Sequence, residues 1–182
     1  KVGDNVIRIL QVINSINIGG IQTTLINILE KIDKEKVMFD FLVETDPNGD
    51  YAEKIKKAGG KIYYVTSRKK SLYRNYKELN EFFKTHNEYN IVHMHVSSLT
   101  YILPLKIAKK YKIPIRIIHS RNTRQGGMKI HKFIHNYNKL FIKNIATHYF
   151  TCSELAAKWL FPIKLINSAN FKIINKEIVV NK

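Results

Sequence analysis

Two rhythms of hydrophobic and polar positions alternate along this chain. Short apolar runs read as strands: Ile7 to Ile13, Val37 to Val43, Lys61 to Val65, Ile91 to Val96, Ile115 to His119 and His148 to Cys152. Between them, apolar residues recur at helical spacing. Ile21 to Ile32 places Ile21, Leu25, Ile28, Leu29 and Ile32 on one face, and Tyr73 to His86 turns Tyr76, Leu79, Phe82 and Phe83 inward. Tyr51 to Ala58 is a short helix stopped by Gly59–Gly60, and Leu99 to Tyr111 carries Pro104 in its first turns. Met128 to Ala146 is a longer helix, and Ser153 is placed to cap one that runs to Leu160 before Pro162 ends it. Strands alternating with helices of this length predict βαβ units. The expected fold is α/β, a Rossmann-like parallel sheet with helices on both faces. Ile163 to Lys182 fits the rhythm poorly. Its one short strand, Phe171 to Ile174, is either a seventh strand at a sheet edge or the start of a connection to something else.

Composition narrows the class. A chain of 182 residues with 45% hydrophobic content suits one globular domain with a full core. No apolar run approaches the roughly 18 residues needed to cross a bilayer, and the start, KVGDN, lacks the apolar core of a signal peptide. The single cysteine, Cys152, excludes an internal disulfide framework and suits a reducing, cytoplasmic setting.

Charge changes the picture more. The net charge is +17, and no Asp or Glu occurs between Glu88 and Glu154, a stretch that holds Lys106, Lys109, Lys110, Lys112, Arg116, Arg121, Arg124, Lys129, Lys132, Lys139 and Lys143. Such a field attracts nucleic acid, anionic lipid or phosphorylated small molecules, or is simply a solvated basic surface. In the Met128–Ala146 helix, Met128, Ile130, Phe133, Ile134, Tyr137, Leu140 and Phe141 form a stripe whose spacing predicts core. Lys129, Lys132, Lys139 and Lys143 lie off the stripe, either solvated or in contact with anionic lipid. No motif of a nucleic-acid-binding module is present.

In an open parallel sheet, ligands bind beyond the C-terminal ends of the strands, and three candidates map there. The loop Asn14 to Gly20 brings Gly19 and Gly20 to the start of a helix. The glycines permit positive φ and close backbone approach, and the helix N-terminus favours a phosphate or carboxylate. The spacing is neither G-x-G-x-x-G nor a P-loop. On the fourth strand, His93 and His95 share a face; His93 reads as a structural histidine and His95, nearer the strand end, as the one placed to reach a cleft. No metal is expected, because the remaining histidines and the one cysteine show no metal-type spacing. His119, Ser120, Arg121 and Asn122 end the fifth strand, where His119 would face the same crevice and Arg121 could pair with an anion.

Taken together, IRILQVINSINIGGIQTTLINIL, FDFLV, the Gly59–Gly60–Lys61–Ile62 turn, NIVHMHVSS, IPIRIIHSRN and YFTCSELAAKWLF resemble the N-terminal domain of a GT-B glycosyltransferase. The kinship is with the large retaining bacterial family (GT4-like, glycosyl transferase group 1) that includes capsular and exopolysaccharide enzymes, and it runs from about Ile7 to Phe161. The resemblance implies a hexosyltransferase of surface polysaccharide synthesis. Residues 1–162 would be its Rossmann-like acceptor-side domain, and 163–182 would lead toward a C-terminal donor-binding domain. The family's Gly-Gly-x-Glu loop falls on Gly19, Gly20, Ile21 and Gln22, with Gln22 in place of the Glu. Its active-site histidine falls on His119, and the serine opening its last N-domain helix falls on Ser153. His95, Arg121 and Asn122 join Gly19, Gly20 and Gln22 as expected substrate contacts. The family's second-domain Glu-x7-Glu signature has no counterpart, since no two glutamates here are eight apart. The chain alone is therefore expected to be inactive.

The implied partners are a sugar nucleotide, UDP-linked, and a lipid-linked or saccharide acceptor, with no cofactor. The donor half would come from a further domain or a partner chain, and a homodimer is open. The implied location is cytoplasmic, peripheral on the inner face of the membrane. Two other readings stay open: a non-catalytic subunit of a two-chain transferase, and a basic nucleic-acid-binding α/β domain.

Overall fold

In the computed structural model, which describes residues 6–122 and 128–174, seven parallel strands form one sheet in the order β3-β2-β1-β4-β5-β6-β7. The strands are β1 (Ile7–Ile13), β2 (Val37–Val43), β3 (Ile62–Tyr64), β4 (Ile91–Val96), β5 (Ile115–Ser120), β6 (His148–Thr151) and β7 (Phe171–Ile173). The helices are α1 (Gly20–Lys31), α2 (Ala52–Lys57), α3 (Leu72–Thr85), α4 (Leu103–Lys110), α5 (Lys129–Phe141), α6 (Glu154–Leu160) and α7 (Ile163–Ile166), with a 3₁₀ turn at Ile142–Asn144. The N-terminal KVGDN, Arg124 and the tail beyond Ile174 lie outside the described residues.

Alternating strand residues feed two cores. Leu10, Val12, Leu42, Val92, Met94, Val96 and Ile118 pack with α3, α4, α6 and the 3₁₀ turn. Ile13, Phe39, Phe41 and Val43, on the other face, pack under α1 and α2. This is the two-faced arrangement that apolar strands in a parallel sheet require. The stretch after Pro162 forms α7, which the sequence did not announce, and β7, which pairs with β6 as an edge strand. Gly59 ends α2 at φ +90°, and a Cβ on Gly60 would lie 2.6 Å from the Phe39 carbonyl oxygen, so both positions demand glycine. Ser71 and Ser153 cap α3 and α6 through their hydroxyls, each at 3.2 Å from a backbone N–H.

Several expected faces are rotated. In α1 the buried residues are Leu25, Ile26 and Leu29, while Ile28 is exposed. In α3 Tyr76 is exposed and Asn75 is buried in its place. Asn75 turns inward because its amide donates to the Thr66 carbonyl (2.8 Å) and accepts from the Tyr101 hydroxyl (2.7 Å). Helix α4 begins at Leu103 and not Leu99. Pro104 sits in its first turn, where its missing N–H costs nothing and where the residue before it is biased away from helix.

The largest departure is α5. Its expected core stripe faces outward: Phe133 is 68% and Leu140 67% exposed, and Met128, Ile130, Tyr137 and Phe141 are exposed as well. The inward residues are His135 and Asn138. The non-helical stretch before α4 leaves the Leu99 N–H and C=O without a ladder, and α5 satisfies both. Leu99 N–H donates to His135 Nδ1 (3.0 Å), and Asn138 Nδ2 donates to Leu99 O (2.7 Å). The His135 ring also stacks on Trp159 at 4.2 Å.

Candidate functional site

The strand order reverses between β1 and β4, and the crevice at such a switch point is where open α/β sheets bind ligands. A cavity of about 280 Å³ lies there. Val12 to Asn14 at the end of β1 and Met94 to Ser98 at the end of β4 form two walls, and Ile21, Gln22, Glu44, Arg68 and Tyr101 close it.

The glycine turn reaches this edge in an unexpected conformation. Gly19 has φ −174°, extended backbone open to any residue, and Gly20 is already the first residue of α1, so positive φ is not the reason for the pair. The loop is pinned by neighbours: Asn14 O accepts from Glu44 N and Thr45 N, Ile16 O accepts from Tyr51 N, and Ile18 N donates to Asp50 Oδ2 at 2.9 Å. No side chain caps α1, so its N-terminal dipole end is available to an anion. Gln22 lines the cavity and donates Nε2–H to Ser15 O at 3.0 Å, bracing the loop. Gly19 and Gly20 are not among the cavity walls, though Ile21 and Gln22 beside them are.

Behind the cavity, residues from three strands and a loop form one polar cluster. His95 Nε2 lies 2.8 Å from Gln11 Oε1, and Arg121 Nε donates to His95 Nδ1 at 3.0 Å. A glutamine oxygen only accepts, so His95 carries its proton on Nε2 and is neutral. His93 Nε2 lies 3.0 Å from His119 Nδ1, and the two rings stack in parallel at 5.2 Å. Burial, then the charge of Arg121, pushes His93 down to about 3. Burial, Arg121 and His93 push His119 down to about 2, and His95 is likewise held well below the usual histidine range, chiefly by burial. Arg121, itself buried, is lowered to about 10 by desolvation.

One nitrogen from each of His93, His95 and His119 lies within 4.8 Å of the others, a geometry that could hold a cation. The donor chemistry fits poorly. Both His95 nitrogens are engaged, one of them by a guanidinium, and that positive group stands beside any ion the cluster could take. His119 Nε2 is buried with no partner.

Of the sequence-derived candidates, then, His95 and Gln22 line the cavity. His119 does not: it is 1% exposed, with its ring 5.4 Å from that of His95. Arg121 joins the site through His95, and Asn122 is exposed just beyond. Lys129 and Lys132 on α5 and Lys143 in the 3₁₀ turn after it are exposed. Lys139 differs from expectation, because its ammonium donates to the carbonyls of Lys158 and Trp159 at 2.8 Å and so caps the end of α6. Glu44, Arg68 and Tyr101 were missed. They come from different elements, and no spacing in the chain announces that they meet.

This fold, with its edge crevice, is that of one Rossmann-like half of the GT-B architecture. The solved structures with which it superposes include Anabaena Alr3699/HepE in complex with UDP and glucose (TM-score 0.64, 13% identity, 93% of this chain and 44% of that one). They also include Acinetobacter baumannii MurG (0.58, 11%, 93% and 45%) and a UDP-N-acetylglucosamine 2-epimerase (0.58, 15%, 93% and 48%). In sequence the chain is similar to the putative glycosyltransferase EpsF of Bacillus subtilis (strain 168), 32% identical over 158 residues. That match covers 85% of this chain and 41% of EpsF, so the chain spans about two fifths of the curated relative's length. No protein-family model matches.

Proposed function

We propose that this chain is the acceptor-side domain of a retaining, sugar-nucleotide-dependent glycosyltransferase. It would move a hexose from a UDP-linked donor to a lipid-linked or saccharide acceptor in surface polysaccharide synthesis. Residues 1–162 form the domain in this reading, 163–182 lead toward a donor-binding half, and the chain alone has no turnover. The observation that carries the proposal is the convergence at the β1/β4 switch point of an uncapped helix N-terminus, a polar-rimmed cavity and a buried arginine whose hydrogen-bond partner is a neutral histidine. A helix dipole and a guanidinium are suited to the negative charge of a departing diphosphate. His95, locked as the Nε2–H tautomer by Gln11, orients the guanidinium through its bare Nδ1. The similarity to EpsF, and to a HepE structure holding UDP and glucose, supports the same reading.

The outward face of α5 supports a membrane-associated setting. It combines exposed Ile130, Phe133, Tyr137 and Leu140 with exposed Lys129 and Lys132, and the exposed Lys143 follows in the 3₁₀ turn, the pattern of a helix lying in an anionic interface. No helix among the described residues is long and apolar enough to cross a membrane.

The test is an amide-shift titration of the chain with UDP-glucose, and co-sedimentation with phosphatidylglycerol or phosphatidylcholine vesicles. UDP-glucose should move Ile21, Gln22 and Arg121, and Arg121→Met should weaken its binding about tenfold. Phosphatidylglycerol vesicles alone should retain the protein, less so as salt rises. A folded chain that responds to UDP-glucose nowhere on this edge removes the donor part of the proposal, and equal binding to both lipids removes the membrane part.

A further inference from the structure

Beside the edge cavity lies a second, larger depression of about 710 Å³. Leu72, Tyr73 and Tyr76 from the first turns of α3, Ile102 and Leu103 at the start of α4, and Ile134 of α5 make it an apolar groove open to the surface. Leu72 and Tyr73, 63% and 74% exposed, stand at its rim. Thr100 and Tyr101 line both the groove and the edge cavity, so the two spaces share a wall.

That wall is hydrogen-bonded to its neighbours and carries a positive charge on its cavity side. The Tyr101 hydroxyl donates to the buried Asn75, which is itself held by the Thr66 carbonyl. The Arg68 guanidinium lies 4.4 Å over the Tyr101 ring, and among the described residues no carboxylate forms an ion pair with it. The exposed Lys69 and Lys70 follow it in the loop that leads to Leu72. On the cavity side, half-buried Glu44 accepts a long 3.3 Å bond from Asn75 Nδ2 and lies within reach of the Tyr101 hydroxyl, and Ser97 and Ser98 line the same cavity. Hydroxyl-bearing ligands suit such a set of acceptors and donors. On the groove side, Ile134 continues into the outward apolar face of α5.

We propose that the cavity and the groove form one site for a lipid-linked saccharide: the sugar in the cavity against Glu44, its phosphate at Arg68, and the hydrocarbon chain in the groove, leaving toward α5. This rests on the transferase reading and names where and how its acceptor binds. The sequence of surfaces (polar pocket, unpaired cation, apolar groove, apolar helix face with lysines) follows the sequence of groups along such a molecule and on into an anionic bilayer. A protein helix or a second copy of the chain would fill the groove but would leave both the shared cationic wall and the sugar-sized cavity without a purpose.

The probes are glucose, farnesyl phosphate and n-octyl β-D-glucoside below its micelle concentration, followed by amide and methyl shifts on the full chain. Octyl glucoside should move Glu44 and Ser98 together with Tyr76 and Leu103. Farnesyl phosphate should move the groove and Arg68 and leave Glu44 still. Leu103→Glu should weaken both amphiphiles about tenfold and leave glucose unchanged; Tyr76→Glu, at an exposed position, repeats the test should L103E disturb folding. Arg68→Ala should weaken farnesyl phosphate about tenfold and spare octyl glucoside, while Glu44→Gln should do the reverse. Octyl glucoside that moves only the groove, or only Phe133 and Leu140, overturns the proposal, as does farnesyl phosphate binding that ignores Arg68. The response of Gln22 and Arg121 to UDP-glucose reads the transferase reading separately, so either can fail while the other stands.

Discussion

Two arginines at opposite ends of this sheet face opposite fates. Near the N-terminal ends of the strands, Arg8 meets buried Asp40 with two hydrogen bonds, the Nε one at 2.6 Å. Asp40 also accepts from the Tyr89 hydroxyl and from Lys61 N, both at 2.7 Å. The carboxylate raises Arg8 above its ordinary range, and burial, Tyr63 and Asp40 together hold the Tyr89 phenol protonated well above its own. At the C-terminal edge, Arg121 is buried against a neutral histidine in a stretch with no acid from residue 89 to 153, and its affinity for the proton falls. One charge is neutralised within the fold; the other pairs with no carboxylate among the described residues. A buried cation without an acid is costly to stability, and it stands at the edge where the fold binds ligands.

Breaking that contrast should give the largest effect. Asp40→Ala leaves Arg8 and Tyr89 without their shared acceptor and should cost about 3–5 kcal/mol, the range for removing one partner of a buried pair. Arg121→Met removes a buried charge that pairs with no carboxylate among the described residues, but it strips His95 Nδ1 of its donor, so it should cost less than D40A, about 1–2 kcal/mol. Urea denaturation at neutral pH measures both, and equal losses would erase the distinction between the two ends of the sheet.

Acid should separate the ends next. His95, His119 and His135 are buried and held neutral in the fold, with depressed pKa values. The unfolded chain takes up protons near the ordinary pKa of about 6.5 while the folded one resists. Stability is therefore full above that value and falls as pH drops through it toward the folded values, by at most about 1.4 kcal/mol per pH unit for each histidine. Unfolding free energies at pH 7 and pH 5 should show this slope, and His119→Gln should flatten it. A slope unchanged by H119Q would mean that His119 does not contribute.

The last contrast lies within α5, where inside and outside are exchanged. Asn138→Ala, which strips Leu99 O of its partner, should cost about 1–3 kcal/mol. Phe133→Ser on the outward face should stay within about 0.5 kcal/mol while reducing vesicle binding. A large loss from F133S in thermal unfolding would show that the outward stripe is packed in solution.

How much of this could be read along the chain depended on how local each cause was. The bounds of β1, β2 and β4 match the apolar runs that define them, and Ser153 caps α6 as its sequence context implies, because strand burial and capping are settled within a few residues. The parallel doubly covered sheet follows from the alternation of such units. The glycine pair does lie at the C-terminal edge of the sheet, although neither glycine lines the cavity and the expected backbone angle did not appear. The inward faces of α3 and α5 were decided at a distance. Asn75 turns in for the Thr66 carbonyl and the Tyr101 hydroxyl, and His135 and Asn138 for the backbone of Leu99, 36 and 39 positions earlier. Hydrophobic periodicity counts only transfer from water, whereas an unpaired backbone group in the interior costs as much as a good apolar contact contributes. The site obeys the same rule. His95 takes its tautomer from Gln11 on a neighbouring strand, and the wall of Arg68 and Tyr101 joins two loops, so both exist only once the strands have been set side by side.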